Sequence, residues 1–164
     1  MADLLLDRGH QRIAYIAGGL NSSTNIDREK GFTEQLQARG VQNLLREQAS
    51  YTYQSGNDAA KRLLQQKLPP DAIFCANDIM ALGALDAARF EMGINVPDEL
   101  SVIGFDDIPA ASWPTYSLTT IRQRVNLMID TTVELLIERL ASPQVEPVLK
   151  LIPGILVERG SVRS

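Results

Sequence analysis

Residues 72–83, Ala72-Ile73-Phe74-Cys75-Ala76-Asn77-Asp78-Ile79-Met80-Ala81-Leu82-Gly83, change character once, at Asn77. The first five are apolar without alternation, as in a strand buried on both faces. From Asp78 the apolar residues run on too long for a strand, so a helix over 78–92 follows, closed by Gly93. A buried strand feeding a helix through a two-residue polar joint is half of a βαβ unit. Parallel strands need such crossovers, and the helices then cover both faces of the sheet.

The same alternation recurs on either side. Ile13-Ala14-Tyr15-Ile16-Ala17 reads as a buried strand ending at Gly18-Gly19, followed by a helix over 25–39 that Gly40 stops. Residues 49–53, ASYTY, read as a short strand with Tyr51 and Tyr53 on one face, and 55–66 as a helix ending before Pro69-Pro70. A further strand covers 101–105. The expectation is an α/β fold, a parallel sheet flanked by helices on both faces. Ligands bind such sheets beyond the carboxyl ends of the strands. That rule singles out Ser22 to Thr24, Asn77-Asp78 and Asp106-Asp107. The tail departs from the pattern. An amphipathic helix over 125–141 carries Val125, Ile129, Val133, Leu136, Ile137 and Leu140 on one side, and a β-like run over 148–157 is broken by Pro153-Gly154.

Bulk properties narrow the function. The 164 residues suit one α/β domain, and a net charge of −4 with no Lys/Arg run makes a poor DNA binder by itself. No apolar stretch reaches a membrane-span length, and no signal peptide precedes them. Cys75, the single cysteine, reads as a buried strand residue and suits a reducing, cytoplasmic setting. One histidine leaves little for a His-rich metal site or a His-dependent triad, and no Walker loop, GxSxG or HExxH occurs. Neither a cofactor nor a metal is expected, and the chain does not read as an enzyme.

Several side chains remain as candidates. Arg28 shares a helical face with Phe32 and Leu36, which turns it toward the ligand end of the sheet as a donor fork, or leaves it a surface partner of Asp27 or Glu29. Asp78 suits a helix N-cap, and Asn77 either a turn or a contact to a hydroxyl-rich ligand. Tyr51 and Tyr53 fit edge packing or a ring stacked on a sugar or base. His10 reads as a satisfied turn histidine and Trp113 as a loop anchor. For Asp106-Asp107 the enzymatic alternative is metal-assisted phosphoryl transfer, for which Asp78 and Thr119-Thr120 supply only a thin supporting set.

Ordered motifs then carry a resemblance over nearly the whole chain. They are Leu6-Asp7-Arg8-Gly9-His10-Gln11-Arg12-Ile13-Ala14-Tyr15-Ile16, Arg28-Glu29-Lys30-Gly31-Phe32, and Ala76-Asn77-Asp78-Ile79-Met80-Ala81-Leu82-Gly83. Val96-Pro97-Asp98-Glu99-Leu100-Ser101-Val102-Ile103-Gly104-Phe105-Asp106-Asp107 and Leu118-Thr119-Thr120-Ile121-Arg122-Gln123 complete the set. In order and spacing they resemble the lactose-repressor (LacI/GalR) family of transcriptional regulators. The resemblance implies a type I periplasmic-binding-protein-like lobe. Residues 1–121 would be the C-terminal lobe of an effector-binding core, 122–145 a crossover helix of an absent N-terminal lobe, and 146–164 a return strand and tail. It implies a small-molecule effector, often a sugar or nucleobase, a homodimer, DNA contact only through a headpiece this chain lacks, and no membrane partner. The alternative within the same fold is a periplasmic-type sugar-binding lobe serving transport.

Matched position by position, Arg28, Asn77 and Asp106 take the family's effector contacts, so Asp106 rather than Asp107 faces the cleft. Tyr51 takes the place of an aromatic wall, Ser22 and Thr24 a variable selectivity loop, and Gln123 a contact at the crossover. Val125 departs from the pattern where some members carry an aromatic ring. Helices 55–66 and 78–92 correspond to dimerisation surfaces, with Ala81, Ala84, Ala87 and Ala88 allowing close approach.

Overall fold

The computed structural model describes residues 1–142, 144 and 146–164. A four-stranded parallel sheet in the order β2-β1-β3-β4 is built from β1 (Ile13–Ala17), β2 (Leu45–Gln48), β3 (Ala72–Cys75) and β4 (Ser101–Ile103). Every residue of β1, β3 and β4 is buried, because helices cover both faces. On one face α2 (Ser23–Ala38) sets Phe32 against Tyr15 and Phe74, with ring centroids 6.1 and 4.8 Å away. The short helix α1 (Ala2–Asp7) packs against α2. On the other face lie α3 (Tyr53–Leu64) and α4 (Asp78–Asp86), the latter continuing as a π turn over Ala87–Glu91.

The helix starts are written locally. The Ser22 hydroxyl caps α2 by accepting from the Asn25 amide, and Thr52 and Ser55 form a reciprocal capping box on α3. Gly40, at φ +87°, turns the chain out of α2, a conformation that costs glycine little. Helices α3 and α4 cross where two glycines meet backbone. A Cβ on Gly83 would lie 2.1 Å from the Tyr53 carbonyl oxygen, and one on Gly56 would lie 2.3 Å from that of Met80.

Beyond β4 the chain makes a 3-10 turn (Pro109–Ser112) and enters β5 (Thr120–Arg122), which pairs antiparallel with β6 (Ile155–Val157). Between β5 and β6 runs α5 (Val125–Ala141), none of whose residues is buried. The expected end of the crossover segment at residue 145 lies outside the described residues. After β6 the tail returns to the sheet, where the Ser161 carbonyl accepts from the Val102 amide at 2.8 Å.

Several expectations are corrected. The strand between α2 and α3 is Leu45–Gln48, not 49–53. It is a sheet edge, so three of its four residues are polar and none is buried, with Arg46 paired to Glu29 and Glu47 to Arg62. Tyr51 has φ +61° and Tyr53 opens α3, so the two tyrosines do not alternate along a strand. The cap of α4 is Asn77, which accepts from the Met80 amide at 3.0 Å, and not Asp78. Ala81, Ala84, Ala87 and Ala88 are fully buried within this chain, so they are not surface residues open to a second copy. In the β-like run over 148–157, only Ile155–Val157 forms a strand. Trp113 is exposed and stacks on Tyr116.

Candidate functional site

Because the sheet is parallel, β1 to β4 all end on one side, and the candidate residues gather on that rim in two groups. The first surrounds Asp106. The side-chain amide of Gln123 donates to Asp106 Oδ1 at 2.7 Å, and Arg28 Nη2 approaches the same oxygen at 3.4 Å. Arg28 is anchored twice more. Its Nη1 donates to the Ala76 carbonyl at 2.6 Å, and its guanidinium lies over the Phe105 ring, 3.8 Å from the centroid. The helical face it shares with Phe32 and Leu36 seats those two residues in the core and delivers Arg28 to the strand ends. Asp106 Oδ2 has no hydrogen-bond partner among the described residues and is an open acceptor.

Asp106 sits at φ +118° and Asp107 at φ +57°, left-handed values that side-chain-bearing residues rarely adopt. Burial pushes the Asp106 carboxyl above its ordinary pKa, against the opposing pull of Arg28 and Gln123. Asp107 faces the other way. Arg122 Nε donates to its Oδ2 and Arg159 Nη2 to its Oδ1, both at 2.6 Å. Burial opposes ionisation of Asp107, but the two arginines outweigh it and hold the carboxyl below the usual range. Asn77 is next to this group, since the Asp78 amide donates to the Phe105 carbonyl at 2.8 Å. The Asn77 carbonyl oxygen is committed to the α4 cap, which leaves its amide nitrogen for other contacts.

The second group surrounds Tyr51. Its hydroxyl donates to Ser22 Oγ at 3.0 Å, and Ser22 Oγ lies 2.8 Å from Thr24 Oγ1. The Tyr51 ring occupies the space a side chain at position 18 would take, with Cζ 2.1 Å from an ideal Cβ on Gly18. Glycine is therefore required there for the ring to lie along the rim. A separate cavity of about 460 Å³ opens beside Arg28 and Phe105, lined also by Met1, Asp3, Phe32 and Gly154. Of the candidates only Arg28 lines it, while Gln123 lines a neighbouring hollow together with Phe105, Met128 and Leu151.

Three participants were missed in the sequence. Buried Asn25 accepts from the Gly18 amide at 2.7 Å and from the Tyr15 hydroxyl at 3.2 Å, which fixes the loop carrying Ser22. Phe105 supports Arg28, and its place directly before Asp106 was the available signal. Arg159 reaches Asp107 across 52 residues of chain, which no local pattern reports. Asp78, buried, accepts from Thr120 Oγ1 at 2.6 Å and from the Ile108 amide at 2.9 Å, and so braces the loop after Asp107.

Residues 2–162 match the periplasmic binding protein-like domain. The chain belongs to that family. Relatives of this periplasmic binding protein-like domain include the HTH-type transcriptional repressor PurR of Erwinia tasmaniensis, 39% identical over 162 residues, which cover 96% of this chain and 47% of that protein. The PurR repressor of Yersinia enterocolitica is 38% identical over the same shares. The chain thus spans about half the length of the curated relatives it matches. Among solved structures, a transcriptional regulator CelR–cellobiose complex superposes with TM-score 0.88 at 33% identity, over 98% of this chain and 49% of that one. The Escherichia coli transcriptional repressor ascG gives 0.86 at 32% identity, over 99% and 59%. The periplasmic binding protein-like domain here is therefore of the LacI-family type, and it corresponds to the C-terminal part of the effector-binding core.

Proposed function

We propose that the chain is the effector-binding and dimerising part of a cytoplasmic bacterial transcriptional regulator of the LacI type, and that it catalyses no reaction. The observation that carries this reading is the Asp106 group. An open carboxylate oxygen, an anchored guanidinium and the Gln123 amide converge at the strand ends of a domain whose relatives are repressors. Such a set donates to and accepts from hydroxyl or amide groups, and Tyr51 supplies an apolar wall. Among the described residues the rim carries no dense basic cradle, which favours a neutral carbohydrate or related metabolite over a polyphosphate. A relative's complex with cellobiose supports that class.

In this reading residues 1–121 form one lobe, 122–145 cross to a second lobe, and 146–164 return. Effector held between two lobes favours one arrangement, and linked DNA-binding headpieces sense it. The test is titration calorimetry of sugars and nucleobases against the full-length regulator, with Asp106→Ala and Arg28→Ala as controls. Each substitution is expected to weaken effector binding by at least about tenfold, the loss of one charge-assisted contact. Hits unaffected by either substitution would move the site elsewhere. The 164-residue chain alone, offering half a cleft, is expected to bind the same effector far more weakly.

A further inference from the structure

The two adjacent carboxylates are gripped separately by two adjacent residues. Gln123 holds Asp106 and Arg122 holds Asp107, each through a side chain from the exit of β5. Arg159, just after β6, completes the grip on Asp107 and also donates to the Leu118 carbonyl at 2.7 Å. The Asp107 side chain is only 7% exposed, so two guanidiniums surround a nearly buried carboxylate. The backbone is tied at the same place, because the Asp106 amide donates to the Ile121 carbonyl at 2.9 Å. Both residues of the doublet have positive φ, a state that persists only where surroundings over-determine it.

From this geometry we infer that Asp107 is a positioning residue: clamped by Arg122 and Arg159, it holds Asp106 in the left-handed backbone that aims its carboxylate at Gln123 and Arg28. The clamp rests on the effector role proposed for Asp106, but its test needs no effector. It also explains why the pair is doubled: one carboxylate keeps an open oxygen and its neighbour is taken up by arginines. Arg122 ends the strand that leads into α5 and Arg159 follows the strand that leads out of it, so the aim of Asp106 is set by that strand pair.

The experiment is heteronuclear NMR on the 164-residue chain, comparing wild type with Asp107→Asn and Arg159→Gln. The signals read are the Asp106 amide–Hα coupling, which reports φ, and the side-chain amide of Gln123. Both are expected to move in both variants, while amides of β1 and β3 stay in place. A lowered melting midpoint with Asp106 and Gln123 signals unmoved would reduce Asp107 to a stability residue and overturn the inference. If Asp107→Asn fails to fold, Arg122→Gln, which removes the more exposed partner, gives the same reading. An effector screen in which nothing binds would remove the proposed function and leave the coupling result standing on its own.

Discussion

Asp78 is a carboxylate with no solvent exposure, held by one hydroxyl and one amide. Burial raises its pKa first, Thr120 and Ile108 pull it back, and the charges on Asp106 and Asp107 add to the rise. Thr120→Val keeps the shape but leaves that carboxylate short of a donor, and is expected to cost about 1–3 kcal/mol in denaturant unfolding. His10 gives a second test. Burial and then Arg163 lower its pKa, with Asp71 opposing them; Nδ1 lies 3.3 Å from Asp71 Oδ1, but neither ring nitrogen makes a well-directed hydrogen bond among the described residues. A base whose folded pKa is depressed stabilises the fold above its unfolded value of about 6.5, and that contribution is lost as pH falls through the folded value. The ring signals of this single histidine should titrate below about 6.5 in NMR, and a midpoint at or above it would contradict the burial argument. At this scale the sequence was partly legible. That Arg28 would reach the strand ends followed from its spacing with Phe32 and Leu36. Which of Asn77 and Asp78 caps α4 did not, because both are good caps and only tertiary partners, here Thr120 and Ile108, decide which is drawn inward.

At the scale of elements, buried strands and glycine-stopped helices were readable because β1 and β3 are apolar throughout and Gly40 ends α2. The edge strand β2 was not, since Leu-Arg-Glu-Gln has no apolar period, and its charges pair with α2 and α3 rather than mark a loop. The adjoining aromatic run ASYTY imitated a strand, but its backbone turns at Tyr51. Helices α3 and α4 approach closely at Gly56 and Gly83, each of which meets the backbone of the other helix. Gly83→Ala would drive a methyl group into the Tyr53 carbonyl and within 2.9 Å of the Asn57 amide nitrogen, both backbone atoms with little room to yield. The expected loss is about 2–3 kcal/mol by thermal or denaturant unfolding, as for other overpacked cores. A stability within error of wild type would mean that the two helices move apart freely.

For the whole molecule, the unsatisfied surface is α5. Val133, Leu136, Ile137 and Leu140 are all exposed, Leu140 at 81%, and no residue of the helix folds back into the lobe's core. Contiguous apolar faces of this kind find cover. The isolated chain is expected to self-associate at micromolar concentration, and Leu136→Lys with Leu140→Glu to return it to monomer, as read by light scattering. A monomeric wild type with α5 intact by circular dichroism would refute this. The amphipathic period of 125–141 was plain in the sequence, whereas the place of its flanking strands was not, because Arg122 and Ile155 become neighbours only through pairing in space.

That pairing means the lobe can be recut. Arg122 and Ile155 face each other at the open end of an antiparallel ladder, the place where a hairpin turn closes two strands. Replacing residues 123–154 with Asn-Gly would turn a long excursion into a local connection and delete the apolar helix. Arg122 and Arg159 would still flank Asp107, while Asp106 would lose its Gln123 donor. A shortened chain that melts cooperatively would show that the β5–β6 ladder, and not the helix it carries, closes the sheet's edge.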